Sequence, residues 1–266
     1  SKTYSDNKLQ ILFVTPKRKS STLQLRTNKT NSLMRFYKAL LPFKAISFDL
    51  DDTLYNNGPV IEQAELAMQQ KLLQLAPKLG LIDPEFWWLK RKELAQLDPE
   101  VRHDVSRWRL LSVEQGLTEL GMGRCEAGEI AELAFSAFYT ARSNLTVPES
   151  SHQLLKALAE RYPLVAITNG NADLTLLRIS QYFKYAYHAG PSGKMKPYPD
   201  MFHKACQQLA IEPHELLHIG DNSKADVRGA LNAGCQAVWL KHEAHFHTAV
   251  LPHLQIDSLE QLQALL

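Results

Sequence analysis

The chain has 266 residues, 45% hydrophobic and 22% charged, which is ordinary globular usage with length for one sizeable core and a smaller lobe. No apolar stretch approaches the roughly 20 residues of a helical membrane span, and no secretory signal with a long apolar core is read, so a cytoplasmic enzyme without membrane contact is expected. Cys125, Cys206 and Cys235 are few, odd in number and unpatterned, which excludes a disulfide frame or a cysteine metal cluster and suits reduced, mostly buried thiols.

The net charge of +2 is unevenly spread. Residues 1–33 hold Lys2, Lys8, Lys17, Arg18, Lys19, Arg26 and Lys29 against Asp6, giving +6; the remainder sets 23 Lys and Arg against 27 Asp and Glu, giving −4. Basicity therefore belongs to the leader, and nucleic-acid binding is not expected of the rest. Rich in Ser, Thr, Asn and Lys, with one apolar run at Leu9 to Val14, residues 1–33 read as a disordered or non-native extension. A basic arm for a membrane or an acidic partner is the alternative.

Ala45 to Leu50 predicts a buried strand of a parallel sheet whose end carries Asp49 and Asp51. Residues i and i+2 of an extended segment share a side, so the two carboxylates converge where a divalent cation, or a proton on one of them, must relieve their repulsion. An acidic turn without function remains open at this point.

From Gly58 to Asn144 the pattern turns helical. Ile61 to Leu75, Pro84 to Leu97, Ser106 to Leu120 and Ala127 to Ala141 show three- and four-residue apolar spacing, broken at Pro59, Pro77, Pro99 and Gly121-Met122-Gly123. Within this stretch, Arg102 to Arg109 offers guanidiniums, His103 and Trp108, a set suited to a polyol phosphate or a flat heterocycle, with Arg107 and Arg109 as candidate substrate ligands. The same residues also fit a plain helix start, with Asp104 or Ser106 as N-cap and Trp108 in the core. Trp87 and Trp88 are expected in the core of this lobe, one of them partly exposed.

Leu164 to Asn171 predicts a second buried strand, ending in Thr168, Asn169 and Gly170. Gly193 to Asp200 is a basic loop held open by Pro197 and Pro199, leading into a helix from Met201 to Leu209. Leu216 to Asp221 predicts a third strand with an acid at its end, followed by Asp226 and a helical stretch from Val227 to Ala233. His242, His245, His247 and His253 read as polar loop residues rather than a metal site, since only Glu243 joins them.

A strand-end Asp pair, a strand-end Thr, a Lys and a strand-end Gly-Asp, in that order, resemble the four motifs of the haloacid dehalogenase-like hydrolases: Asp49 to Thr53, Thr168, Lys196, and Gly220-Asp221 through Asp226. The resemblance runs from about Met34 to the C-terminus. It implies a doubly wound α/β core, residues 34–57 plus 145–266, with residues 58–144 inserted as a helical cap that closes water out and reads the leaving group. In Met34 to Tyr37, Phe48 to Tyr55, His103 to Arg109 and Val165 to Asn171 the wording is similar to the family's bacterial flavin-pathway phosphatases. That similarity implies dephosphorylation of 5-amino-6-(5-phospho-D-ribitylamino)uracil, a riboflavin precursor, with FMN as a further substrate. The expected partner is thus a small phosphorylated metabolite, bound by a monomer or homodimer.

A phosphomonoester carries about two negative charges near neutral pH, so a site built from acids needs cations to admit one. Mg²⁺ suits an all-oxygen site. Its expected ligands are Asp49, Asp221 and, as the resemblance implies, the backbone carbonyl of Asp51, with Lys196 as the second positive charge. Asp49 is the expected nucleophile, and Asp51 the general acid that later serves as base. Thr168, Asn169 and Lys196 are expected to bind the phosphoryl oxygens, with Thr53 and Asp226 orienting Lys196 or the metal's ligands. Hydrolytic dehalogenases of this family lack an acid at the position of Asp51, because halide leaves without a proton, so Asp51 argues for phosphate. A general sugar-phosphate phosphatase, a phosphomutase and a non-catalytic binding protein are the remaining alternatives.

Overall fold

The computed structural model describes residues 11–12, 23–26, 33–242 and 250–266. Ala45, Ile46, Ser47 and Phe48 are all fully buried, which requires a strand covered on both faces. This strand, β4 (Ala45–Phe48), lies inside one sheet with β1 (Ile11–Leu12), β2 (Leu23–Arg26), β3 (Leu33–Phe36), β5 (Leu164–Thr168), β6 (Phe183–His188), β7 (Leu216–Gly220), β8 (Gln236–Leu240) and β9 (Leu254–Ile256). The order is β1-β2-β3-β9-β8-β7-β4-β5-β6, parallel from β9 through β6 and antiparallel from β1 to β9. Segments of the leader, expected to lie outside the fold, thus extend one edge of the sheet; residues 1–10, 13–22 and 27–32 lie outside the described residues.

Side chains alternate between two apolar layers. Ile46, Phe48, Leu164, Ala166, Leu217 and Ile219 join α5 (Glu149–Ala159) on one face, whereas Ala45, Val165, Ile167 and Leu216 join α6 (Asp200–Leu209) on the other. The register sets the site. Phe48 stands level with Ala166 on one side and Ile219 on the other, so the residues just beyond Phe48, Ile167 and Ile219 emerge at one edge of the sheet. There β4, first of the parallel strands in the chain, lies between β5 and β7, and the helical connections diverge to leave a crevice.

Between β4 and β5 run α1 (Gly58–Leu75), α2 (Pro84–Leu97), α3 (Val105–Glu119) and α4 (Arg124–Ser143). They pack about an apolar cluster of their own, including Met68, Leu72, Trp87, Leu117, Ile130 and Phe138. Pro59, expected to break the chain before α1, instead sits in its first turn, where the missing N–H costs nothing. Asp83 caps α2 and Asp104 caps α3, each accepting from a first-turn N–H. Trp87 is buried and Trp88 half exposed. Beyond β7 the expected helix from Val227 starts early, as a π-helical turn over Ser223–Arg228 and a short α7 (Gly229–Asn232), because Asn222 caps it by accepting from Lys224 and Ala225.

Phe138→Ala should destabilise the protein by about 3–5 kcal/mol, the range for emptying a fully packed aromatic site. Urea unfolding followed by tryptophan fluorescence measures it; a cost below about 1 kcal/mol would mean that the four-helix cluster collapses freely around the void.

Candidate active site

The ladder of β4 continues one residue past the strand, since Asp49 N–H donates to Ile219 O at 2.9 Å. The chain then turns sharply: Thr53 and Leu54 both donate to Leu50 O, and Asp52 takes φ 59°, a left-handed conformation that Asp tolerates better than most residues. Asp49 and Asp51 are thereby left at the strand end, with Asp51 close enough for its charge to act on Asp49.

Lys196 occupies the centre. Its ammonium donates to Asp49 Oδ1 at 2.7 Å, Asp226 Oδ1 at 2.7 Å and the Ile167 carbonyl at 2.6 Å, so all three of its protons are used. Asp226 is equally committed: Oδ1 also receives His218 at 3.2 Å, and Oδ2 accepts Asn222 N–H at 2.8 Å. Behind it, His218 Nδ1 meets Ser47 Oγ at 2.9 Å. With Nε2–H given to Asp226, Nδ1 is the acceptor for the Ser47 hydroxyl. Gly220 permits this return of the chain, because a Cβ there would collide with the Asp226 carboxylate.

Burial works against every charge in the cluster. It raises Asp49 well above the ordinary carboxylate range, with Asp226 and Asp51 adding to the effect against the pull of Lys196. It drives His218 down. Asp226 instead ends below its usual value, because Lys196 and His218 together outweigh its desolvation. Lys196 in turn is kept charged, since Asp226 and Asp49 more than offset its burial. Asp221 accepts the Thr53 hydroxyl at 3.2 Å, and is pushed up to about 6 by burial, then by Asp226 and Asp52, against a smaller opposing pull from His242.

Thr168 ends β5 fully buried, and its Oγ accepts Gly170 N–H at 2.9 Å, which leaves the hydroxyl proton for an outside acceptor. Thr168, Lys196, Asp49, Asp51, Gly170 and Asp221 line one pocket. Asn169 borders it, but its amide is turned to the backbone of Lys196, accepting N–H at 2.7 Å and donating to C=O at 2.9 Å. The side chain is thus a clamp that holds the lysine loop in place, while Asn169 itself still lines the pocket.

Arg107 and Arg109 are not brought to this pocket. Arg107 is exposed at the first turn of α3, while Arg109 pairs with Glu65 at 2.6 Å and covers the Phe138 ring at 3.8 Å inside the helical lobe. The segment read as either a substrate reader or a helix start lies where the lobe meets the core. His103 Nδ1 accepts Met195 N–H at 3.2 Å, Asn171 donates to Ser106 at 3.0 Å, and Lys194 pairs with Glu100 at 2.8 Å. Asp104 is the N-cap of α3, the helix start that the sequence also allowed. Of the histidines, His242 lies 2.6 Å from Asp52 O and His253 accepts Ala237 N–H; His245 and His247 lie outside the described residues.

Three site residues went unread in the sequence. Arg142, in the last turn of α4, reaches Asp51 from a position that resembles an ordinary helix-end cation. Tyr55 donates to the same carboxylate at 2.7 Å. His218 did leave a signal, as an imidazole inside an otherwise apolar strand.

The family model of haloacid dehalogenase-like hydrolases matches residues 43–234. The chain is 40% identical over 238 residues to the 5-amino-6-(5-phospho-D-ribitylamino)uracil phosphatase YigB of Escherichia coli (strain K12), covering 88% of this chain and 100% of that protein. It is 24% identical over 241 residues to the human N-acylneuraminate-9-phosphatase, covering 84% and 93%. Among solved structures, a 2-haloacid dehalogenase from Pseudomonas syringae pv. Tomato DC3000 superposes with TM-score 0.79 at 33% identity, covering 84% of this chain and 97% of that one. The chain belongs to the haloacid dehalogenase-like hydrolases, and within them to the phosphatases.

Proposed function

We propose that the protein is a Mg²⁺-dependent phosphomonoester hydrolase that works through a phospho-Asp49 intermediate, with 5-amino-6-(5-phospho-D-ribitylamino)uracil as its leading substrate. The observation that carries the reaction type is the second acid: Asp51 lines the same pocket as Asp49, an acid placed for proton transfer to an alkoxide. The substrate rests on the 40% identity to YigB along the whole of that protein.

The donor set fits a divalent cation. Asp49, Asp51, Asp52, Asp221 and Asp226 line the pocket against two cationic side chains, Lys196 and Arg142, so acids outnumber cations there, and carboxylate oxygens of Asp49, Asp221 and Asp226 lie within 4.8 Å of one another. Because both oxygens of Asp226 are already committed, Asp49, Asp221 and the Asp51 carbonyl are the groups that would hold the ion. Bound there, Mg²⁺ supplies the positive charge that lets a dianion enter an acidic site.

The protein's own groups do the rest. Lys196 holds Asp49 by Oδ1 and keeps it aimed into the pocket. Asp49 attacks phosphorus, while Thr168 Oγ–H and the strand-end amides bind the phosphoryl oxygens. Asp51 gives its proton to the departing alcohol, and the Asp51 carboxylate then takes one from the water that cleaves the aspartyl phosphate. A dehalogenase reading draws on the 33% identity to the Pseudomonas syringae structure; measured chloride release from a 2-haloacid, without phosphate release from any ester, would replace the present proposal with that one.

Asp49→Asn should abolish phosphate release and Asp51→Asn should lower kcat/KM by roughly 10²–10⁴-fold, with both proteins folded by circular dichroism. Near-wild-type turnover of either variant in Mg²⁺ would overturn the roles. A phosphate-release screen over the ribitylaminouracil phosphate, FMN, sugar phosphates and nucleotides tests the substrate; a strong preference for nucleotides would remove the flavin-pathway assignment.

Asp221 yields a stability test. A carboxyl pushed up to about 6 binds a proton more tightly folded than unfolded, so metal-free stability falls as pH rises from about 4 to 6. At pH 7 in EDTA, Asp221→Asn should therefore be more stable than wild type by roughly 2–3 kcal/mol, a gain that vanishes below about pH 4, where Asp221 is itself neutral. Mg²⁺ should stabilise the wild type and not the variant. Urea melts at both pH values measure this, and a variant less stable than wild type in EDTA at pH 7 would refute the account.

A further inference from the structure

The two carboxylate oxygens of Asp51 have different surroundings. Tyr55 donates to Oδ1 at 2.7 Å, and the Arg142 guanidinium donates to that same oxygen. Among the described residues no protein group donates to Oδ2, which fills the space left by the missing Cβ of Gly170, beside Thr168 in the phosphoryl pocket. Arg142 is 1% exposed and its Nη1 is buried without a hydrogen bond, an arrangement that costs stability and that apolar packing alone would not select. Tyr55 is buried as well.

The geometry points to Arg142 as a positioning residue for proton transfer: with Tyr55 it holds Asp51 by Oδ1 so that Oδ2 faces the leaving group. This rests on the phosphatase reading above. Oδ1 already accepts two donors, one of them cationic, so Oδ2 is the oxygen left to carry a transferable proton. As a bond forms between Asp49 and phosphorus, the bond from phosphorus to the leaving oxygen breaks. Its electron pair stays on that oxygen, which takes the proton from Asp51 Oδ2. Asp51 becomes a carboxylate in the same step, and the attraction of Arg142 for it grows as the proton leaves, so the contact is stronger in the transition state than before it. Because Arg142 belongs to α4, the acid is fully set only while the last turn of the helical insertion lies against the end of β4.

Two esters separate this role from a structural one. An alkyl phosphate needs its leaving oxygen protonated, whereas p-nitrophenyl phosphate departs as a stable phenolate. Arg142→Gln should lose roughly 30–100-fold in kcat/KM on the alkyl ester and less than about 5-fold on the aryl ester. Arg142→Lys should recover part of the alkyl activity, and Tyr55→Phe should show the same selectivity with a loss of roughly 5–10-fold. Equal losses on both esters, or none on the alkyl ester, would overturn the assignment. If Arg142→Gln does not fold by circular dichroism, Tyr55→Phe decides by the same criterion, as its ring packing is retained. Wild-type protein that releases phosphate from neither ester in Mg²⁺ refutes the phosphatase reading itself, and this inference with it.

Discussion

The ammonium of Lys196 is the contact on which the carboxyl edge of the sheet depends. It joins the end of β4 through Asp49, the end of β5 through the Ile167 carbonyl, and the turn after β7 through Asp226. Three strand ends that would otherwise present like charges or bare carbonyls to one another are held by a single buried cation. Breaking such a group by removing one member costs far more than the net worth of any one pair, because the remaining charges stay desolvated. Asn169 secures the arrangement from outside by clamping the lysine's own peptide group.

That cation is nonetheless insufficient. Asp226 draws most on Lys196, with His218 and the Asn222 amide completing its shell, so Asp49 and Asp221 are left with raised proton affinities. The site therefore carries its acids at a cost to stability, as functional centres commonly do. Asp51 is treated separately: its counter-charge comes from the helical insertion rather than the core. The insertion docks by His103, Ser106 and Glu100 against the loops after β5 and β6, which brings the last turn of α4 over the strand end.

Much of this was legible along the chain. Alternating and continuous apolar runs located β4, β5 and β7, and the three- and four-residue spacing located α1 to α4 within a few residues, because both patterns follow from burial alone. Asp49, Asp51, Thr168, Lys196 and Asp221 were legible as well, since strand ends in a parallel sheet converge on one crevice whatever the loops do. The segment from Arg102 to Arg109 was legible only as a choice: its polar, cationic wording suits a ligand and a helix start equally, and the N-cap at Asp104 with the His103 contact to Met195 fits the second.

The sequence by itself determined the parallel core, the helical insertion and the acids, threonine and lysine that meet at the strand ends, because periodicity and strand-end position are local properties. The tertiary structure decided which charge compensates which. Arg142 lies 91 residues from Asp51, and His218 lies 171 from Ser47. Pairings across such separations follow from how the insertion folds back and from the register of β4 against β7, and no spacing along the chain encodes them.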